Sequence, residues 1–330
     1  MEWSVARSAN PKEEIAAADH PQIRLFNVPG HTFSPVKKDK GDGQWQACSP
    51  QTVSGFSAVG YYFGRRLQKD LDVPIGLVGV NWGGTRIEPW CSPESLAKVD
   101  ELQDIADKVA KYDENTKLNH QQPSAIYNSM VHPLVPYAMR GAIWYQGESN
   151  GGEGMSYYHK KKALVQGWRD LFNEDLAFYW VQLANFQKPN DNPEGGDGWA
   201  KIREAQRLAA KDIPHTGMAV IIDIGEANDI HPRNKQDVGD RLARYALNQT
   251  YDKSSVVPAG PLYKSHKAED GAIRVSFENV GGGLMVGKKE GLKPTEEVKD
   301  GKLARFAIAG EDKKWVWADA KIDGDDIVVS

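Results

Sequence analysis

The sequence predicts an α/β protein whose parallel sheet is covered by helices on both faces, followed by a smaller β-rich segment. Up to about residue 252, short apolar runs alternate with longer segments in which apolar residues recur at helical spacing. Such alternation is typical of parallel sheets. Beyond residue 252, Gly and Lys become frequent and only short β-prone runs occur. We therefore expect residues 1–252 to form one domain and residues 253–330 to form an accessory domain that is part of a β-sandwich.

The elements follow from length and periodicity. Short runs rich in β-branched or aromatic residues are predicted as strands at 23–28, 74–80, 142–145, 178–183 and 217–222. Segments with apolar residues every three to four positions are predicted as helices at 57–71, 93–112, 157–172, 199–211 and 235–248. Ser92 is the expected N-cap of the helix at 93–112. In the β-rich segment, strands are predicted at 273–277, 303–308, 314–318 and 327–330.

Composition narrows the classes of function. The 330 residues carry a net charge of −4 with no basic stripe, which argues against nucleic acid as the main partner. No apolar run is long enough to cross a bilayer, so membrane insertion is not expected. The amino terminus lacks the basic-then-apolar order of a secretion signal. Cys48 and Cys91 are too few for a disulfide framework or a structural zinc site.

A polar cluster follows the predicted strand at 142–145 directly. It begins at Gln146 and contains Glu148 and Asn150, and so offers amide and carboxylate groups. Ligands of open α/β sheets bind at the carboxyl ends of the strands. An ordinary polar turn is the alternative, but the strands at 74–80 and 217–222 end in similar clusters. We therefore expect a ligand site at this edge of the sheet.

The cluster after the strand at 217–222 contains a histidine among carboxylates. His231 follows Asp229 by two residues and precedes the helix at 235–248. A histidine beside an acid suits general-base catalysis, because the acid orients the ring and stabilises its protonated form. A loop histidine with ordinary hydrogen bonds is one alternative. A metal site is another, although the sequence lacks the second His or the Cys pair that would make a strong pattern.

The cluster after the strand at 74–80 is rich in glycine. Gly83 and Gly84 offer backbone N–H groups without side chains that would block a substrate, which suits an oxyanion hole. A tight turn between strand and helix is the alternative. A dinucleotide-binding loop is set aside, because the glycine spacing does not fit that fingerprint and no acidic strand end follows about twenty residues on.

Three segments together resemble a known family. GVNWGGTRIEPW at 79–90, RGAIWYQGESN at 140–150 and DIHPRNKQDVGDRLA at 229–243 are similar to motifs of the sialate O-acetylesterase family, within the SGNH-hydrolase superfamily. The resemblance covers most of residues 1–252. It implies a flavodoxin-like three-layer α/β/α fold and a Ser-His-Asp esterase that removes acetyl groups from sugars without a metal or other cofactor. It also implies a secreted or periplasmic protein.

The resemblance implies roles for particular residues. His231 matches the general base and Asp229 matches the acid of the Asp-Ile-His motif. Gly83 or Gly84, together with Gln146, matches the oxyanion contributors. Many members of the superfamily have Asp three residues before the histidine, where this sequence has Asn228.

The sequence departs from the family at the nucleophile. The family's nucleophilic Ser lies in a Gly-Gln-Ser-Asn motif directly before Met-Glu-Trp, whereas this chain starts at Met1-Glu2-Trp3. Ser4, Ser8 and Ser149 do not match the motif. We therefore expect a piece of a longer protein, cut after that motif and again at Ser330, that is nearly inactive by itself.

Residues that flank the polar clusters are candidates for sugar contacts. Trp side chains stack on sugar faces and polar side chains bind hydroxyls, which makes candidates of Trp82, Arg86, Trp144, Glu148 and Asn150. Core or rim packing is the alternative for each of them. Two rival functions remain: a glycoside hydrolase that uses Glu148 and Glu226 as a carboxylate pair, and a non-catalytic carbohydrate-binding protein.

Overall fold

The structure is a computed structural model that describes residues 1–135, 137–172, 175–196 and 198–330. Within these ranges, β1 (His20–Asn27), β2 (Trp45–Cys48) and β3 (Ile75–Gly79) form one sheet in the order β2-β1-β3. β1 and β3 are parallel, and β2 runs antiparallel at the outer edge. The predicted strands at 23–28 and 74–80 are therefore confirmed as neighbours in one sheet.

A second sheet is entirely parallel. β4 (Gly141–Trp144), β5 (Ala177–Val181) and β6 (Thr216–Ala219) follow in the order β4-β5-β6. The side chains of β6 and most of those of β5 are buried, as expected for parallel strands covered on both faces. β3 runs parallel to β1, and β4, β5 and β6 run parallel to one another. The polar loops that follow β3, β4 and β6 therefore emerge at the carboxyl ends of the strands.

One group of helices packs against the sheet that contains β3, and another packs against the sheet of β4 to β6. They are α1 (Pro11–Ala16), α2 (Ala58–Leu71), α3 (Pro93–Ala97), α4 (Gln103–Val109), α5 (Ser156–Phe172), α6 (Gly198–Asp212) and α7 (Lys235–Tyr245). α2 packs against β1 and β3, α7 packs against β5 and β6, and the two helices pack against each other. α5 packs against α3 and α6, and α6 contacts β6. The pairing of α2 with α7 connects the two sheets.

Gly239 allows α2 and α7 to approach to backbone contact. A Cβ atom at Gly239 would lie 2.7 Å from the Phe63 nitrogen and 2.6 Å from the Tyr62 Cβ. We expect Gly239→Ala to lower the free energy of unfolding by about 1–3 kcal/mol, as overpacking does. An alanine in an unhindered helix would instead stabilise it. Urea denaturation measures the change.

Gly260→Ala is the matched control for this prediction, because no atom lies within 4 Å of a Cβ built at Gly260. We expect its effect to stay within about 0.5 kcal/mol. Equal or greater stability of Gly239→Ala would show that the α2–α7 contact tolerates a wider separation.

The predicted helix at 93–112 is wrong as a single element. α3 ends at Ala97, a 3-10 turn covers Asp100–Leu102, and α4 begins at Gln103. Leu96 and Leu102 are both buried, although six residues of a straight helix turn by about 240° and would point them in different directions. The break lets both side chains reach the core. The Ser92 N-cap is confirmed, since its hydroxyl accepts the Ser95 N–H at 3.0 Å.

The β-rich segment is antiparallel. β7 (Leu262–Glu269), β8 (Ala272–Glu278), β13 (Ala320–Asp323) and β14 (Asp326–Val329) form a sheet in the order β13-β14-β8-β7. β9 (Gly287–Lys288) pairs with β10 (Glu296–Glu297), and β11 (Ala307–Ala309) pairs with β12 (Trp315–Trp317). The strand predicted at 303–308 begins only at Ala307, because Arg305 has a φ of 67° that no strand accommodates. The sandwich and the domain boundary at 252 stay predictions.

Among the described residues, no helix combines the length and the apolar character that crossing a lipid bilayer requires.

Candidate active site

The loops that follow β3, β4 and β6 meet at one cavity of about 700 Å³. Gly83 and Gly84 reach it after β3, Gln146 and Glu148 after β4, and His231 after β6. These are the residues that the sequence placed at strand ends. The structure therefore brings the three polar clusters to one side of the sheets, while the chemical roles assigned to them stay predictions.

His231 is half-exposed at the rim of this cavity and rests on Trp3. Their rings are stacked, with centroids 4.9 Å apart and an interplanar angle of 14°. The Trp3 indole N–H donates to the Arg7 carbonyl at 2.8 Å, which holds the platform in place. Trp3 was not among the residues singled out from the sequence, because a contact across more than two hundred residues leaves no local pattern.

Asp229 accepts a hydrogen bond from the backbone of His231 and lies near its ring. Asp229 Oδ1 accepts the His231 N–H at 2.8 Å, and the same oxygen is 3.6 Å from His231 Nδ1. A separation of 3.6 Å is too long for a hydrogen bond. The carboxylate therefore shapes the 229–231 turn and is placed to attract a proton on the ring.

The two glycines of the loop after β3 differ in what their N–H groups contact. The Gly83 N–H donates to Glu2 Oε2 at 2.6 Å, and Glu2 Oε1 is 2.6 Å from His31 Nε2. Gly84 has a φ of 76° that favours glycine. Within the part of the chain that the structure describes, no acceptor contacts the Gly84 N–H. Gly84 is thus the glycine with a donor free to face a ligand.

Gln146 is held by the protein itself. Its amide group donates to the Thr85 carbonyl at 3.1 Å and to Asn150 Oδ1 at 2.8 Å, and Gln146 Oε1 accepts the Tyr157 hydroxyl at 3.0 Å. Both amide hydrogens are used. The expectation that Gln146 donates to an oxyanion is therefore not met in this geometry, in which it ties the loop after β4 to the loop after β3.

Glu148 and Lys235 influence each other's pKa through their charges. Glu148 lines the cavity, and burial raises its pKa, although the charge of Lys235 opposes that shift. Lys235 is fully buried, with its Nζ 5.0 Å from the centre of the Tyr145 ring and 5.8 Å from that of Trp3. Burial lowers the pKa of Lys235 to about 8, against the attraction of Glu148. Lys235 begins α7 and had no signal of its own in the sequence.

The carboxylate pair proposed for a glycoside hydrolase does not share the cavity. Glu148 lines it, whereas Glu226 does not, and Glu226 Oε1 accepts the Arg233 N–H at 2.8 Å. The metal alternative gains no support either, because among the described residues no three His, Cys, Asp or Glu side chains are grouped as metal ligands.

Comparison with known proteins identifies the family. Residues 16–248 match the family described as carbohydrate esterase, sialic acid-specific acetylesterase. The chain belongs to this family. The match confirms the resemblance seen in the motifs.

Individual relatives agree with this carbohydrate esterase family. Sialate O-acetylesterase of Homo sapiens is 29% identical over 290 residues, covering 79% of this chain and 54% of the human protein. That of Mus musculus is 29% identical over 325 residues, covering 84% of this chain and 60% of the mouse protein. The chain therefore spans little more than half the length of these relatives.

A solved structure confirms the predicted α/β fold of the carbohydrate esterase family. The crystal structure of a novel carbohydrate acetylesterase from Xanthomonas citri superposes with a TM-score of 0.84 at 36% sequence identity. The superposition covers 100% of this chain and 69% of that chain.

Asn150 has a structural place in this chain, unlike the sugar contact expected for it. It is only 1% exposed. Its Oδ1 accepts the Ile87 N–H at 3.0 Å, and its Nδ2 donates to Glu88 Oε2 at 3.1 Å and to Glu153 Oε2 at 3.0 Å. All of its polar atoms are bonded within the protein, so it connects the loops after β3 and β4.

Arg86 is likewise part of a scaffold. Its guanidinium pairs with Glu88 at 3.0 Å and with Glu153, and Lys160 pairs with both of these carboxylates. Burial of Glu88 opposes its ionisation, but the hydrogen bond and charge of Lys160 hold its pKa below the ordinary value. Arg86 takes part in this ion-pair network and is not among the residues that line the cavity, and its predicted sugar contact stays a prediction.

We expect Asn150→Ala to lower the free energy of unfolding by about 2–4 kcal/mol, because it removes one hydrogen bond each from buried Glu88 and Gln146 and leaves the buried Ile87 N–H without its acceptor. Ser149→Ala is the matched control: the neighbouring exposed hydroxyl makes a single bond to the Gly84 carbonyl. Thermal and urea denaturation compare the two. A loss below about 0.5 kcal/mol for Asn150→Ala would contradict its role as a connector.

The two predicted tryptophan platforms have their ring faces covered. Trp82 is stacked between His31 at 4.5 Å and His120 at 4.7 Å between ring centroids. Trp144 is 8% exposed and meets the Trp90 ring edge-to-face at 5.7 Å. Both line the cavity, but neither presents an open face on which a sugar could stack. His31 and His120 lie in loops far from Trp82 in sequence, which is why sequence reasoning missed them.

Proposed function

We propose that this chain carries the general base and the oxyanion loop of a carbohydrate O-acetylesterase. The observation that supports this most is that His231 and the Gly83–Gly84 pair line one cavity from two different strand ends. The similarity to sialate O-acetylesterases supports an acetylated sugar as the substrate class. The family resemblance also makes a secreted or periplasmic location our prediction.

The reaction needs a serine that residues 1–330 do not supply in the family's Gly-Gln-Ser-Asn motif. The serine oxygen forms a bond to the acetyl carbon while His231 accepts the hydroxyl proton. Collapse of the tetrahedral intermediate breaks the bond to the sugar oxygen, which takes that proton from His231. Water then attacks the acetyl-serine with His231 again as base, so that acetate leaves and the serine hydroxyl is restored.

Asp229 and Gly84 support these steps. Asp229 lies on the Nδ1 side of the ring, 3.6 Å away, and attracts the proton that His231 holds in each intermediate. We assign the oxyanion to the Gly84 N–H, because Glu2 already binds the Gly83 N–H. One such donor is typically worth about 3 kcal/mol of barrier. Gln146 supports this loop through its bond to the Thr85 carbonyl.

Residues 1–330 by themselves are expected to hydrolyse acetyl esters only slowly. The expected rate is that of a serine hydrolase whose nucleophile has been removed, about 10³- to 10⁴-fold above the uncatalysed reaction. Acetate release from 4-nitrophenyl acetate and from O-acetylated sialic acid measures this. The comparison is the same chain with an apolar strand ending in Gly-Gln-Ser-Asn fused ahead of Met1. The fused chain should be faster by at least about 10³-fold.

Two results would contradict the proposal. If the fused chain folds and binds an acetylated sugar by calorimetry without releasing acetate, a carbohydrate-binding function is the better conclusion. If residues 1–330 by themselves hydrolyse the acetyl ester at ordinary esterase rates and His231→Ala abolishes this activity, a different residue is the nucleophile.

A further inference from the structure

The turn between β6 and α7 carries His231, and we call residues 225–234 the base turn. Between residues 225 and 231, all of which the structure describes, no residue is buried. Apart from the stack of His231 on Trp3, the turn is held by polar contacts, such as the Arg233 N–H that donates to Glu226 Oε1 at 2.8 Å. Because apolar packing contributes little here, the position of the His231 ring depends on hydrogen bonds from other segments.

The loop after β5 holds the first half of the base turn. Asn185 Oδ1 accepts the Gly225 N–H at 2.9 Å, and the Gln187 N–H donates to the Ala227 carbonyl at 3.0 Å. A Cβ atom on Gly225 would lie 2.1 Å from the Asn185 carbonyl oxygen, so the two backbones are in direct contact. A shift of this loop therefore moves the base turn with it.

The β-rich segment in turn holds the loop after β5. Arg305 donates to the Asn190 carbonyl at 2.8 Å, and the indole N–H of Trp317 in β12 donates to the Asp191 carbonyl at 3.1 Å. The Arg305 guanidinium also lies over the Trp317 ring, 5.4 Å from its centre. Both donors come from residues 253–330, so this segment is joined to the base turn through one intervening loop.

The same segment contacts the other end of the base turn directly. Asn234 caps α7: its Oδ1 accepts the Asp237 N–H at 3.1 Å, and its Nδ2 donates to the Gly291 carbonyl at 3.0 Å. The same Nδ2 donates to Asp237 Oδ2 at 2.6 Å, and Lys289 Nζ lies 2.6 Å from that oxygen. The Lys289 side chain is 7% exposed. This ion pair is therefore largely withdrawn from water, where the loss of one partner is costly.

We propose that the β-rich segment of residues 253–330 positions His231, with Lys289 and Asn234 as the positioning residues. Asn234 follows His231 by three residues, and Pro232 restricts the backbone between them. Neither Lys289 nor Asn234 lines the cavity, so both act through the base turn and not on the substrate. The inference rests on the proposed function in that His231 is the base. It assigns a role to a segment outside residues 16–248, which match the esterase family.

Lys289→Met tests the inference in the chain fused to the serine-bearing strand. It removes the ammonium and keeps a side chain of similar length, so that Asp237 loses its cation and the Asn234 cap is free to move. We expect kcat for 4-nitrophenyl acetate to fall at least about tenfold, because small displacements of a catalytic group have large effects on the rate. KM should stay within about twofold, since no contact with the substrate is lost.

Two controls separate positioning from a general loss of stability. Lys288→Met changes a neighbouring lysine whose side chain is 64% exposed and pairs with Glu290. Arg274→Ala removes a guanidinium whose three carboxylate partners all lie in the four-stranded sheet of the β-rich segment, so it weakens the segment without touching the base turn. Both variants should keep kcat within about twofold of the parent.

A double variant shows whether Lys289 acts through Asp237. Asp237→Asn alone breaks the ion pair and should also lower kcat. In that background Lys289→Met should lower kcat by less than about twofold more, because the interaction is already lost. A further loss as large as in the parent would place the effect of Lys289 elsewhere and overturn its role in the base turn.

Hydrogen exchange on residues 1–330 needs no nucleophile and tests the inference independently of esterase activity. The His231 N–H and the Arg233 N–H are both bonded within the base turn. They should exchange at least about tenfold faster in Lys289→Met than in the parent. The amides of Thr216–Ala219 in β6 should not change, and Arg274→Ala should leave both sets at the parental rates.

The outcomes keep the two proposals apart. A fused parent chain without esterase activity contradicts the proposed function, while faster exchange in Lys289→Met still supports the hold of the β-rich segment on the base turn. An active fused chain whose Lys289→Met variant keeps kcat within about twofold overturns the inference and leaves the esterase proposal intact. Unchanged exchange in the base turn, or an equal loss of kcat in Arg274→Ala, overturns it as well.

Discussion

Replacing His231 with alanine, in the chain fused to the serine-bearing strand, is expected to lower kcat for acetyl-ester hydrolysis by about 10⁴- to 10⁶-fold. Without the imidazole, no group is placed to take the serine proton or to return it to the sugar oxygen. Asp229 does not substitute, because its Oδ1 is bound to the His231 backbone N–H, which alanine retains. Steady-state kinetics on 4-nitrophenyl acetate and on an acetylated sugar measures the loss.

His159→Ala is the matched control for this prediction. His159 is also partly exposed, and its Nδ1 pairs with Glu101 at 3.1 Å outside the candidate site. Its kcat should stay within about twofold of the parent, and both variants should keep the parent's melting temperature within a few degrees. If His231→Ala retains more than a tenth of the parent activity, another group serves as the general base.

Lys235→Met is expected to raise the free energy of unfolding at pH 7 by on the order of 3 kcal/mol. The ammonium is fully buried, and among the described residues no hydrogen-bond partner contacts its Nζ. Burial lowers the pKa from 10.5 to about 8, and each pKa unit corresponds to about 1.4 kcal/mol. Methionine has a similar length without the charge, so it removes this cost.

The pH dependence gives the sign of the effect. Because the pKa of Lys235 is about 8 in the folded chain and 10.5 for a free lysine side chain, the unfolded state binds more protons between these values. Stability of the parent chain should therefore rise with pH across this window, whereas the Lys235→Met variant lacks that contribution. The advantage of the variant should shrink as the pH rises from 8 to 10.5.

Urea denaturation at pH 7 and at pH 10.5 checks both statements. Lys264→Met is the control, because Lys264 is exposed on β7, and its effect should stay within about 0.5 kcal/mol. Destabilisation by Lys235→Met at pH 7 would mean that the ammonium gains more from Glu148 and the rings of Trp3 and Tyr145 than it loses by burial.

Much of the α/β fold is encoded locally. Apolar runs of four to eight residues mark the parallel strands, helical spacing marks α2 and α5 to α7, and these elements lie close to their predicted positions. Parallel strands place their carboxyl ends on one side, so the polar clusters after β3, β4 and β6 were expected together. The structure agrees, with His231 and Gly84 at one cavity.

The properties of the individual site residues depend on contacts between distant segments. Gln146 uses its amide on Thr85, and Trp82 is covered on both faces by His31 and His120. No periodicity reports such pairings, because they are set by how side chains from separate loops fill one space.

The sequence by itself determined the order of the strands and helices and the chemistry available at the strand ends, since both follow from neighbours in the chain. Only the tertiary structure decided which of those groups remain free to act. A hydrogen bond or a stacked ring from a distant loop decides whether a donor such as the Gly84 N–H or the Gly83 N–H is open to a ligand.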